Sequence, residues 1–402
     1  AAGPLGGALR DRALFLVQAL QRAGVVARRR VPGMALHALN SGLLALAVNS
    51  SDLTMTIRVG GEPWLVGSAF TLHHLSPSDG TLVGAAPAVE FTGKDALGAF
   101  HGLNASWRQN ATGPVIWETA IRAYDASGRI VFRQSFPTGG LHADAQGGDH
   151  QLRSSLFGTG VLSAFPALAR APSGPQLGLV NYAGSSAGNM VSYGSFPENT
   201  TSNGETSGCV VIVPLPKVGA GALEPVAHTL VFSQLDHFFA SVVAKTTVNG
   251  TVAAGAGLMA GFTTVPAGFA SEAVIVLAST SDAPLPASMA GMPAGGINHA
   301  VQKWGDTLLQ FHGVRSRAAV VGPNASVRAR YFGYSTTAFY HHNPCDPSNG
   351  NLDVWTCKSW EATLVDVHED LRARRVPHKW MLIDSYWYGE NRYGGTWLWE
   401  DG

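Results

Sequence analysis

The chain has 402 residues with 27 Lys and Arg against 27 Asp and Glu, and only 13 % of its residues are charged. Zero formal charge without a long basic run excludes an electrostatic surface for nucleic acid, and 46 % hydrophobic residues with 17 Phe, 10 Trp and 9 Tyr exclude a disordered chain. No run reaches the roughly 18 apolar residues of a membrane-spanning helix, and the length suffices for two or three domains with sizeable cores.

In chain order, Ala1 in place of Met and an end at Gly402 directly after Trp397 to Asp401 predict a processed or partial chain. Within residues 1–34, Leu9, Leu16 and Leu20 recur on one face of an amphipathic helix that Gly24 closes. The basic Arg28-Arg29-Arg30 that follows fits a solvated turn, with a processing site or a membrane-surface patch as the alternatives.

Residues 35–290 read as short strands separated by Gly, Pro, Ser and Asn loops, which predicts a large antiparallel β-sandwich. Leu53 to Val59 alternates with period two, and Gly60-Gly61 turns it into Trp64-Leu65-Val66. Val115 to Tyr124 and Arg129 to Arg133 flank a turn at Asp125 to Gly128, and further strands fall at Val210–Val213, His228–Phe232 and Ala273–Ala278. Gly255 to Gly261, rich in Gly and Ala, reads as a flexible turn because it lacks the Lys-Ser/Thr of a phosphate loop.

Pro284 to Gly296 breaks the strand rhythm and marks a boundary. Residues 291–328 form a linker segment whose helix, from Ile297 to His312, carries Val301, Trp304, Leu308 and Phe311 on one face and ends at Gly313. Residues 329–402 change character. Tyr331 to Thr336 reads as a buried strand, Trp360 to Arg375 as a helix with Leu364, Val367 and Leu371 on one face, and Trp380 to Asp384 as a nearly continuous apolar strand. Strand, helix, strand of this kind is a βαβ unit.

Six Asn-X-Ser/Thr sequons, at Asn49, Asn104, Asn110, Asn199, Asn249 and Asn324, predict glycosylated surface loops and a secreted or cell-surface protein. Cys345 and Cys357 bracket a loop that a disulfide would staple in an oxidising compartment, whereas Cys209, inside an apolar strand, reads as an inert core thiol.

Candidate chemistry is sparse. Asp384 ends the second strand of the βαβ unit, where α/β folds place ligands, and Ser385, Tyr386, Trp387, Tyr388 and Glu390 follow. A carboxylate beside aromatic faces suits a sugar ring; an Asp capping the next helix, with aromatics filling a barrel rim, suits the same residues. His341-His342 point apart and suggest no third ligand, so no metal is expected. Gly184 to Gly188 matches Gly-X-Ser-X-Gly, but Asn189 to Pro197 does not read as the helix a nucleophile elbow needs. Ser233, Asp236 and His237 lie too close in sequence to meet as a triad.

Gly333 to Tyr340, Leu364 to Lys379 and Trp380 to Trp387 resemble the opening of the catalytic barrel in retaining α-glycosidases, the clan of the α-galactosidases and raffinose synthases. The likeness covers about residues 297–388, and the β-rich front half fits such proteins in architecture alone. The resemblance implies sugar binding by Asp384, Trp387, Tyr386 and Thr336, with Asp384 matching the first acid of an Ile-Asp-Asp-x-Trp motif. Ser385 replaces the motif's second acid, and Thr337 stands where relatives often carry an acid or amide. The clan's nucleophile and acid/base lie on later barrel strands; a whole barrel needs about 250 residues, so no catalytic residue is assigned in this chain. The expectation is therefore a mixed fold: the sandwich, a linker helix, and the first βαβ of an incomplete (β/α)8 barrel. The implied function is action on α-linked sugars by a retaining mechanism without cofactor. The alternative is a non-catalytic glycan-binding or structural glycoprotein, whose partners are carbohydrate and other cell-surface proteins.

Overall fold

The computed structural model describes residues 36–71, 77–78, 80–138, 141–142, 161–184, 191–200, 206–216, 226–238, 240–248, 250–259, 264–282, 293–314, 326–335 and 360–382. The helix expected within residues 1–34 lies outside them. Two compact units divide the chain, Ala1–His312 and Gly313–Gly402.

The first unit is a two-sheet antiparallel sandwich. Its strands are β1 (Leu36–Ser41), β2 (Leu44–Asn49), β3 (Met55–Val59), β4 (Glu62–Phe70), β5 (Val83–Gly84), β6 (Val89–Asp95), β7 (Gly98–Arg108), β8 (Trp117–Tyr124), β9 (Arg129–Phe136) and β10 (Leu141–His142). There follow β11 (Ala164–Arg170), β12 (Leu177–Gly184), β13 (Val191–Ser195), β14 (Thr206–Pro214), β15 (His228–Gln234), β16 (Ser241–Val248), β17 (Thr251–Leu258), β18 (Thr264–Val265) and β19 (Phe269–Ser279). A 7-stranded sheet runs β1-β2-β3-β4-β11-β17-β16, and a 10-stranded sheet runs β13-β12-β14-β15-β19-β9-β8-β7-β5 with β6 also on β7.

Alternation in the sequence becomes the two faces of each strand. In β8, Trp117, Ile121 and Ala123 enter the core between the sheets, while Glu118, Ala120, Arg122 and Tyr124 take the other side. The β3–β4 hairpin turns on Gly60 and Gly61, both at positive φ (57° and 86°), the requirement of a tight two-residue turn.

Two glycines of residues 255–261 behave otherwise than expected. Gly255 and Gly257 are interior to β17 rather than in a turn. A Cβ on Gly257 would stand 1.8 Å from the Ser163 carbonyl oxygen, so the small side chains reflect close backbone approach. Gly257→Ala is expected to destabilise the sandwich by about 3 kcal/mol, since backbone cannot yield as a rotamer does. Urea denaturation checks this, and a loss under about 1 kcal/mol contradicts it.

Helix α1 (Ile297–Phe311) covers part of the outer face of the larger sheet. Ile297, Val301, Trp304, Leu308 and Phe311 pack on Val131, Cys209, Val211, Val231, Val274 and Val276. Gly313, at φ +63°, follows the helix in the left-handed conformation expected of a terminating glycine. At the other end Thr229 donates to the Gly295 carbonyl (2.6 Å), and in mid-helix Lys303 pairs with Asp282 (2.9 Å). Cys209 is buried, and burial pushes its thiol up to about 12, so it is inert as expected.

The second unit holds α2 (Val327–Arg330), β20 (Phe332–Ser335), α3 (Trp360–Ala373) and β21 (His378–Leu382). Strands β20 and β21 pair in parallel, with Tyr334 opposite Met381 and Ser335 opposite Leu382. Leu364, Val367 and Leu371 of α3 are half-buried on one face. The expected burial of the strands is not found: Phe332 is 69 % and Leu382 40 % exposed. The two helices among the described residues of this unit cover too little of the strand pair to bury it.

Candidate functional site

The parallel pair brings the carboxyl ends of β20 and β21 to one edge. Its geometry depends on Gly333: a Cβ there would stand 2.2 Å from the Trp380 indole, which lies across the β20 backbone and donates to the Tyr331 carbonyl (3.1 Å). Arg328 lies over the same ring at 5.9 Å. The expected sugar-binding residues Thr336, Asp384, Tyr386 and Trp387 lie outside the described residues, as do Thr337, Ser385 and His341-His342. So do Cys345 and Cys357 of the expected disulfide.

Of the sequons, Asn110 and Asn199 are exposed in turns and Asn49 is half-buried at the end of β2, while Asn249 and Asn324 lie outside the described residues. Asn104 departs from the expected loop, being exposed within β7 between β6 and β8. The remaining sequence motifs resolve as expected of structural residues. Ser233 is fully buried and donates to the Gln234 carbonyl (2.9 Å), away from the Asp236–His237 pair (3.2 Å). Gly184 ends a strand whose successor, β13, pairs with it antiparallel, which is not a strand-to-helix elbow.

Sequence reasoning missed a charged network on the outer face of the larger sheet. Arg122 donates to Asp95 (2.8 Å) and to Glu272, whose other oxygen lies 3.6 Å from Arg133. The Tyr124 hydroxyl also donates to Asp95 (2.7 Å), and the Glu272 amide donates to Asp236 (2.8 Å). Burial and then the Asp95 hydrogen bond drive the Tyr124 phenol far up, so it stays a donor. Burial raises the Glu272 carboxyl, and Arg122 opposes that shift. The signal for this network was a charge in mid-strand on the outer face of β8, Arg122 between Ile121 and Ala123.

Beside it lies a cleft of about 450 Å³ lined by Val89, Phe91, Phe100, Asn104, Ala120, Arg122 and Arg133. Cross-strand pairs of aromatic and glycine shape it. Phe91 faces Gly102 and Phe100 faces Gly93, and each ring occupies the room a Cβ would take. Arg122 stacks over Phe100 at 5.6 Å. The cleft offers apolar faces beside an amide and guanidinium donors.

No protein-family model and no curated protein matches the chain. Among solved structures it is similar to α-N-acetylgalactosaminidase NagBb from Bifidobacterium bifidum in a GalNAc complex, at 11 % identity and TM-score 0.46 over 90 % of this chain and 54 % of that one. It is similar to an α-galactosidase from Lactobacillus brevis at 10 % identity and TM-score 0.43, over 90 % and 50 %. A glycoside hydrolase family 97 enzyme from Pseudoalteromonas sp. strain K8 gives 8 % identity and TM-score 0.36 over 60 % and 35 %. All are glycoside hydrolases, and the chain spans between about a third and about half of their length. No helix among the described residues is long and apolar enough to cross a membrane.

Proposed function

We propose that this chain is part of a secreted glycoside-hydrolase-like protein that acts on α-linked sugars, with the β20–α3–β21 unit opening the sugar-binding barrel. The observation that carries this reading is the parallel register of Ser335 with Leu382. Ligands of α/β folds bind at the carboxyl edge of such strands. Thr336 follows β20 directly and Asp384 stands two residues beyond β21. In this reading Asp384 accepts hydrogen bonds from sugar hydroxyls, while Tyr386 and Trp387 offer faces to the pyranose ring. The retaining carboxylate pair, about 5 Å apart, belongs to later strands. A second reading, a glycan binder without turnover, is favoured by Ser385 in place of the second acid of the motif.

The test uses the full-length protein with p-nitrophenyl α-galactoside and α-glucoside. Asp384→Asn is expected to raise KM and lower kcat/KM at least tenfold, about 1.4 kcal/mol of transition-state binding. Unchanged kinetics remove Asp384 from the site. Sugar binding by calorimetry with no turnover of either substrate favours the binder.

A further inference from the structure

We infer that His368 and His378 form a two-histidine site for a divalent transition cation of the imidazole-preferring kind, clamping helix α3 to strand β21. His368 Nδ1 and His378 Nε2 stand 3.1 Å apart, with ring centroids at 5.2 Å and planes at 71°. Two imidazole nitrogens that share one ion at about 2.1 Å are separated by about 3.0 Å at a right angle and about 3.4 Å in a tetrahedron. The observed separation falls between the two. Neither nitrogen would have to move far to take a common ion.

The orientation of the rings is a second, separate observation. His378 Nδ1 faces the Val376 carbonyl at 3.3 Å and donates its proton there, which turns the Nε2 lone pair toward His368. A metal-binding histidine is usually held in this way, its other N–H on a carbonyl or carboxylate. His368 Nδ1–H then donates to His378 Nε2. When a cation enters between them, the His368 proton moves from Nδ1 to Nε2, so both rings bind neutral and no net proton is released.

The backbone fixes this approach before any ion arrives. The turn between α3 and β21 closes with the Val376 amide donating to Leu371 (2.9 Å) and Arg375 at φ +57°, the left-handed helix-ending conformation. That turn returns the chain so that residue 378 meets residue 368. Nearby carboxylates on the helix are already engaged, Glu369 with Arg372 (3.4 Å) and Asp370 with Arg374 (2.8 Å). Among the described residues no third His, Cys, Asp or Glu completes a cluster, so water fills the remaining positions. Imidazole suits zinc, nickel and copper, and magnesium or calcium would be refused. Among the described residues beyond His312 none is fully buried, so a clamp of this kind adds order where the apolar contacts are few.

The experiment titrates the full chain with zinc chloride by calorimetry, and follows the histidine ring nitrogens by nitrogen-15 NMR. Zinc is expected to shift the His378 Nε2 and His368 Nδ1 resonances together. His368→Ala and His378→Ala, both at half-exposed or exposed positions, are each expected to weaken that binding event at least tenfold, and magnesium to leave the resonances unmoved. Zinc uptake that is unchanged in both variants, or that moves other histidines while leaving these two nitrogens in place, overturns the proposal.

Discussion

Arg122→Ala is expected to cost about 3–5 kcal/mol, the usual consequence of removing one partner from a buried pair. The Arg122 side chain is 15 % exposed and Glu272 only 11 %, so the variant strands a carboxylate with little water around it. A melting temperature lower by on the order of 10 °C follows for a unit of this size. The pH dependence identifies the cause. Burial already raises Glu272 above its ordinary range, and Arg122 opposes that rise. A carboxyl raised in the folded state contributes stability that is complete below its unfolded value, about 4.3, and is lost as pH rises through the folded value. Without Arg122 the folded value climbs further. The deficit of the variant is therefore larger at pH 7.5 than at pH 5, and urea denaturation at both pH values checks it. Equal deficits would show that packing of the guanidinium over Phe100, not its pairing with Glu272, is what was lost. Glu272→Gln, which leaves Arg122 its bond to Asp95, is expected to cost less, about 1–3 kcal/mol.

Trp117→Ala is expected to destabilise the sandwich by about 5 kcal/mol, the upper end for an aromatic removed from a core. Trp117 is fully buried, edge-on to Phe165 at 6.0 Å and tilted against Trp107 at 6.5 Å, and Phe165 in turn meets Phe132 at 5.6 Å. Its deletion opens a cavity where Trp117 meets Phe165 of the other sheet and removes aromatic pairs of about 0.5–1.5 kcal/mol each. Trp117→Phe separates volume from polarity. The indole N–H of Trp117 is buried with no hydrogen-bond partner among the described residues, so phenylalanine removes that donor while keeping a ring. Its expected cost is less than half that of alanine. Comparable losses for the two variants would mean that the indole shape itself is what the neighbours require. Chemical denaturation with a shared slope for the three proteins makes the comparison.

The paired strands of the sandwich were legible because period-two alternation and turn glycines are local signals. Met55 to Val59, Gly60-Gly61 and Trp64 need only their neighbours to be read. The α1 face of Val301, Trp304, Leu308 and Phe311 was legible for the same reason, through its 3.6 period. Gly255 and Gly257 were misread, since what limits them is distant in sequence: the backbone of Ser163 against Gly257, and the side chains of Ala164, Thr246 and Val161 against Gly255. The exposure of Phe332 was misread because an apolar strand declares its need for cover, not whether the fold supplies it.

The candidate sites divide along the same line. The Asp384 phrase was visible as a motif at a strand end, a relation between adjacent residues. The network of Arg122, Asp95, Glu272 and Tyr124 was not, for it joins β6, β8 and β19, and Arg122 to Glu272 spans 150 positions. His368 and His378 lie ten apart, yet only the left-handed turn at Arg375 points one at the other.

Alone, the order of residues in this chain determined strand and helix periods, turn positions and the inert character of Cys209, because each depends on local backbone preference and on which side chains avoid water. Sheet order, the Phe91–Gly102 and Phe100–Gly93 contacts that shape the cleft, and the pairing of distant charges were decided only in three dimensions. Strand register sets which side chains become neighbours across a sheet, and register is fixed by packing of the whole core rather than by any single segment.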